Sequence, residues 1–160
     1  MSLEKFSKIV EGLEKIAIVG PFFHKKYLVA SPLYLLVDKG AQYQKEIEAS
    51  QENSTFFKVG DGDSYTGELD IKLAQNKDFS DLKFCLDILP SHINTLYLLG
   101  FIGGRVDHQL FVWGEVHHYL ARKKNTKVLF DDGVFAFSSG RIKREIHGCF
   151  SIAVISSTEL

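Results

Sequence analysis

Residues 95–130 read TLYLLGFIGGRVDHQLFVWGEVHHYLARKKNTKVLF: an apolar run, a glycine-rich turn, a long helical pattern and a second apolar run. "TLYLLG" is apolar at successive positions rather than alternate ones, as in a strand buried on both faces. Val106, Leu110, Trp113, His117 and Leu120 then recur at helical spacing, which predicts that they share one side of a helix. The Lys and Arg residues that close this pattern suit the negative end of a helix dipole. A strand, a helix and a strand in that order form the crossover unit of a parallel sheet.

The same alternation extends upstream. "KIAIVG" is stopped by Gly20-Pro21, "LYLLV" by Asp38, "TFFKV" by Gly60 and "LDIKL" by Ala74, which with "TLYLLG" and "TKVLF" makes six strand candidates. Leu3, Phe6, Ile9, Val10 and Leu13 have helical spacing, as does "SDLKFCLDIL". The expected fold class is therefore α/β, a three-layer α/β/α arrangement around a mainly parallel sheet of about six strands. After Asp131 the pattern changes. "VFAFSSGRIKREI" reads as a hairpin about Ser139-Gly140 and "CFSIAVI" as one more strand, a short antiparallel β tail. The expected domains are residues 1–132 for the α/β unit and residues 133–160 for the tail.

Composition narrows the function classes. A chain of 160 residues with 45% hydrophobic and 24% charged residues can bury one sizeable core. A formal net charge of -1 gives no overall positive field to recruit nucleic acid or an anionic membrane, so neither is expected as a partner. No apolar run approaches a membrane span and the N-terminus lacks the layout of a signal peptide, which predicts a cytoplasmic protein. Cys85 and Cys149 lie inside apolar runs without metal-ligand spacing and are expected to be buried thiols.

Polar signals fall where strands end, and in open α/β sheets ligands bind at the carboxyl ends of strands. Asp38 follows "LYLLV", Asp61 and Asp63 in "VGDGDS" follow "TFFKV", and Gly103, Gly104, Arg105 and Asp107 follow "TLYLLG". Asp78 and Asp81 in "NKDFSDLKF" add carboxylates, and Asp78 or Ser80 is placed to cap the next helix. Several carboxylates at one edge suit a hard cation such as Mg²⁺ shared with phosphate oxygens. The glycines would let backbone N–H groups approach a phosphate, with Arg105 as a bidentate donor. "GFIGGR" matches neither the dinucleotide fingerprint nor the P-loop, so the residues alone stop at Mg²⁺-dependent phosphoryl-type chemistry.

Taken in order, these motifs resemble the thiamin pyrophosphokinase (thiamin diphosphokinase) family over roughly residues 15–135. "VDKGAQ" resembles its "ADGGAN", "VGDGDS" its "GDFDS", "NKDFSDLKFCLDIL" its "DKDFTDLEKAL", and "LLGFIGGRVDHQL" its "GGRxDHxL". The resemblance implies Mg²⁺-dependent transfer of pyrophosphate from ATP to thiamin in a homodimer. It places Asp61, Asp63 and Asp81 on Mg²⁺ and in catalysis with Arg105 and Asp107. Asp38, Lys39, Lys77, Asp78, Ser80, Gly103, Gly104, Arg105 and His108 would surround the nucleotide. Lys39 stands where the family has its first glycine, and Gly62 where it has an aromatic residue. Family members continue into a β-sandwich, of which the tail is expected to be a remnant or the start.

Two other readings stay open. Asp61-Gly62-Asp63 mimics the DxD pair of haloacid-dehalogenase-type phosphatases, although Tyr65 stands where that motif takes Thr or Val. Lys39 and the short tail also suit a catalytically weakened module that binds a nucleotide or a thiamin compound.

Overall fold

Lys15–Val19 (β1), Leu33–Val37 (β2) and Thr95–Leu99 (β5) form the middle of the sheet because their side chains are apolar toward both faces and almost all are withdrawn from solvent. The computed structural model describes residues 3–138 together with residues 143, 145, 147 and 151. In chain order the other elements are α1 (Leu3–Val10), α2 (Gln44–Glu48), β3 (Thr55–Gly60), β4 (Ile71–Lys72), α3 (Asp81–Asp87), α4 (Val106–Ala121), β6 (Lys127–Phe130) and β7 (Phe135–Phe137). The strands make one seven-stranded sheet in the order β4-β3-β2-β1-β5-β6-β7. All pairings are parallel except the last, in which β7 turns back antiparallel on β6.

Alternation along each strand divides the core into two layers. Ile16 and Ile18 of β1, Leu33 and Leu35 of β2, and Leu96 and Leu98 of β5 face the layer built by α1, α3 and α4. Ala17, Val19, Tyr34, Leu36 and Leu99 face the opposite layer, where Ala41 and Ile47 of the short segment before and within α2 cover them with Phe23. Each fully buried Leu or Ile contributes about 1.5–3 kcal/mol by area, an upper figure because unfolded chains already bury some of it. The fold is the expected α/β class, with helices on both faces of the sheet.

Three local differences have physical causes. "LDIKL" is reduced to the two residues of β4, because Asp70 takes over the edge of β3: its carboxylate accepts the Lys58 N–H at 2.8 Å. On α4 the buried side chains are Val112, Val116, Tyr119 and Leu120, whereas Val106 and Leu110 are 71% and 67% exposed. This helix carries two apolar stripes, and the one lying toward the sheet is the one predicted only through Leu120. Phe135–Phe137 is the seventh strand of the main sheet. Most of the rest of the expected tail, including the turn at Ser139-Gly140 and Cys149, lies outside the described residues. Cys85 is buried with a free thiol. Among the described residues, no helix is long and apolar enough to cross a membrane.

Candidate active site

Because β1, β2, β3, β5 and β6 are parallel, their carboxyl ends reach one edge, and the order of the sheet places β1 between the two directions of winding. The backbone packs tightly there. Gly20 donates its N–H to the Leu99 carbonyl at 2.8 Å, and Phe22 donates to Gly100 at 3.0 Å. After β2 the chain tightens into a 3₁₀ turn, Asp38–Tyr43, that crosses the end of β1. A Cβ at Gly40 would lie 2.1 Å from the Val19 carbonyl oxygen, so the close backbone approach falls on Gly40. Lys39, beside it, is exposed to solvent.

Asp38 opens this turn with φ +47°, a left-handed conformation that Asp tolerates better than most residues. Its carboxylate lies against Gly60, where a Cβ would come within 2.6 Å of Asp38 Oδ1. That oxygen is buried and has no hydrogen-bond partner. Burial first, then the adjacent Asp81 carboxyl and the charges of Asp61 and Asp63, push the Asp38 carboxyl up to about 8.

Asp61 and Asp63 form a tight turn at the end of β3. The Asp63 N–H donates to Asp61 Oδ1 at 3.0 Å across Gly62, whose φ of +83° suits glycine. Gly62 therefore supplies the conformation that closes the turn. The Asp63 N–H, followed by Lys77, holds the Asp61 carboxyl below its ordinary value. Asp38, Asp61 and Asp63 each offer an oxygen within 4.8 Å of the others. An all-oxygen set with one buried oxygen left unpartnered fits a hard cation.

Asp81, the first residue of α3, is 7% exposed, and it joins the site through Lys77. Lys77 Nζ lies 2.8 Å from Asp81 Oδ1 and 3.2 Å from Asp61 Oδ2. Ser80 is the cap of α3, its hydroxyl oxygen accepting the Lys83 N–H at 2.9 Å. Asp78 is exposed.

The glycine-arginine group stands on the neighbouring loop. Gly103 and Gly104 have φ of +119° and +73°, and a Cβ at Gly104 would be 2.6 Å from the ring of Phe22, which the loop overlies. Arg105 donates from Nε to Asp107 Oδ1 at 3.0 Å and from Nη2 to Asp107 Oδ2, a two-pronged pair that is solvent-exposed. His108, one residue on, is exposed as well. Arg105 is thus close to the edge that carries the carboxylates, with its guanidinium engaged by its own helix.

Asp131, which follows β6, was not singled out among the candidate residues. It is 5% exposed, and its Oδ2 accepts the Gly100 N–H at 2.6 Å, fixing the start of the glycine loop. Its position directly after an apolar run is the same signal that marks Asp38. Lys77 is among the residues expected around the nucleotide, and what the sequence signals of its ion pairs is only its spacing from Asp81. At the opposite, amino-terminal edge lies a polar hollow of about 500 Å³ lined in part by Lys15, Ser31, Gln51 and Asn53.

No match was found among curated proteins. A crystal structure of a protein from Lactobacillus plantarum, a structural-genomics target, is similar with TM-score 0.46 and 20% identity. That similarity covers 72% of this chain, which spans 58% of the length of the other. The family described as thiamin pyrophosphokinase, catalytic domain, matches residues 24–130, an interval that runs from the loop after β1 to the end of β6 and holds every carboxylate of the site except Asp131. The chain belongs to the thiamin pyrophosphokinase catalytic-domain family.

Proposed function

We propose that the protein transfers a pyrophosphoryl group from ATP to the hydroxyl of thiamin, giving thiamin diphosphate and AMP, with Mg²⁺ as cofactor. The observation that carries this reading is the convergence of Asp38, Asp61 and Asp63 within 4.8 Å at the carboxyl edge of a sheet that belongs to this family. These carboxylates would hold Mg²⁺, which when bound offsets charge on the phosphate oxygens. Arg105 exchanges its Asp107 partner for phosphate oxygens, matching their geometry with its planar fork. The Gly103-Gly104 backbone leaves room for the nucleotide phosphates to come close.

In the reaction the thiamin hydroxyl oxygen attacks the β-phosphorus. The bond from that phosphorus to the oxygen bridging toward the α-phosphorus breaks, AMP departs with the electron pair, and the hydroxyl proton is released. The residues contribute mainly by positioning and by countering charge. A second copy of the chain is part of the proposal, supported by Val106, Leu110 and Phe111 of α4, which stand 71%, 67% and 69% exposed. Sedimentation of the intact chain beside Leu110→Asp tests it, a dimer weakened by the variant being expected.

The test of the activity is incubation with Mg-ATP and thiamin. AMP and thiamin diphosphate appearing in equal amounts are expected. Phosphate released from simple phosphomonoesters would favour the phosphatase reading, and binding without turnover the non-catalytic module.

A further inference from the structure

We infer that Lys77 is a built-in monocation that occupies the ground between Asp61 and Asp81 and so limits the site to one divalent cation, with Asp81 as its anchor rather than a cation ligand. This rests on the proposal that Asp38, Asp61 and Asp63 hold such a cation.

The geometry is that of a fixed counter-ion. The Lys77 side chain is 9% exposed, and its two partners, Asp61 and Asp81, are 13% and 6% exposed. A surface lysine keeps its head in water and its stem mobile; here the head is enclosed between carboxylates. Asp61 and Asp81 are no farther apart than the two ion-pair distances laid end to end, 3.2 and 2.8 Å. Two carboxylates that close, with Asp38 and Asp63 nearby, repel one another, and the ammonium held between Asp61 and Asp81 offsets that repulsion.

The ammonium and a divalent ion therefore compete for the same oxygens, and the structure divides them. Asp61 Oδ2 and Asp81 Oδ1 meet Lys77, whereas Asp38, Asp61 and Asp63 can bring one oxygen each within 4.8 Å of one another. An ammonium has three N–H groups, so Lys77 retains one beyond its two carboxylate partners with which to meet a phosphate oxygen. A second divalent ion has no place while Lys77 stays. Removing the ammonium vacates a second position bounded by Asp61 and Asp81.

The experiment counts Mn²⁺ ions bound to the full chain by electron paramagnetic resonance, without nucleotide, after thermal melts in chelator confirm folding. The wild type is expected to bind one ion and Lys77→Met two, with the first held at least about tenfold more tightly because a nearby positive charge is gone. Lys77→Gln, which keeps hydrogen-bonding capacity without charge, is expected to behave alike and serves if the Met variant does not fold. Asp81→Asn should keep its single ion, and the double variant Lys77→Met with Asp81→Asn should return to one. One ion at unchanged affinity in both Lys77 variants would overturn the inference while leaving the cation site intact, as would loss of the ion in Asp81→Asn. A wild type that binds no Mn²⁺ would overturn this inference and the cation site together.

Discussion

The Gly100 backbone N–H donates to the buried Asp131 carboxylate at 2.6 Å, tying the carboxyl ends of β5 and β6 together at the root of the glycine loop. Its second oxygen, Oδ1, is buried without a partner. Replacing Asp131 with Ala strands the Gly100 donor, and we expect a loss of about 1–3 kcal/mol in urea denaturation. Asp131→Asn keeps an acceptor and should lose less. A loss as large in Asn as in Ala would show that the charge, not the hydrogen bond, is what matters.

Gly40→Ala meets an obstacle that cannot move. The added methyl would lie 2.1 Å from the oxygen and 2.8 Å from the carbon of the Val19 carbonyl, both backbone atoms. We expect a loss of at least about 1–3 kcal/mol, with reduced nucleotide affinity because Asp38 is displaced with the turn. Gly114→Ala on α4 is the control, since nothing lies within 4 Å of its new methyl; there about 0.5–1 kcal/mol should be gained. Equal effects at the two glycines would contradict the close crossing over β1.

Asp38 supplies a pH signature. Its folded-state pKa of about 8 lies above the ordinary 3.8, so the folded protein binds this proton more tightly than the unfolded chain. The stability it contributes is fully present below about pH 3.8 and is lost as the pH climbs through about 8. Asp38→Asn mimics the protonated form and tolerates the left-handed backbone. In chelator, wild-type melting temperature should therefore fall relative to the variant across that interval, and Mg²⁺ should narrow the gap. Parallel curves would remove Asp38 as the titrating group.

Arg105→Lys separates recognition from stability. The Arg105–Asp107 pair is solvent-exposed, so its loss should leave the melting temperature nearly unchanged. A lysine presents a point charge and cannot reproduce the fork, so Mg-ATP affinity measured by calorimetry should drop about tenfold. Unaltered affinity with lowered stability would mark the pair as structural.

Much of this site is legible in the sequence because apolar runs stop abruptly where polar residues begin. Asp38, Asp61 and Asp63 each follow such a stop, and parallel strands carry all such stops to one edge. Other features depend on contacts that periodicity does not encode. α4 has apolar residues on two sides, and only packing against the sheet selects Val112 and Val116 over Val106 and Leu110. α2 is five residues long with Ile47 as its buried side chain, too little to make a helical pattern. The grip of Lys77 on Asp61 spans β4 and its loops, and nothing local announces it. Gly40 rather than residue 39 bears the close approach, which becomes visible only once the turn is seen crossing Val19.

The central place of β1 also bears on how the molecule comes into being. Ala17 pairs with Tyr34 of β2, a nearby partner, but Ile16 pairs with Leu96 of β5, for which the intervening chain must already have been organised on the other flank. The acidic half of the site arises from β2 through α3, and the arginine half from β5 and α4, so the halves face each other only after this distant docking. Distant pairings are entropically slow to close and set the pace of folding. In a refolding reaction, nucleotide affinity should thus emerge with the final kinetic phase, after most helical signal has returned, and a weakened β1–β5 seam should delay both.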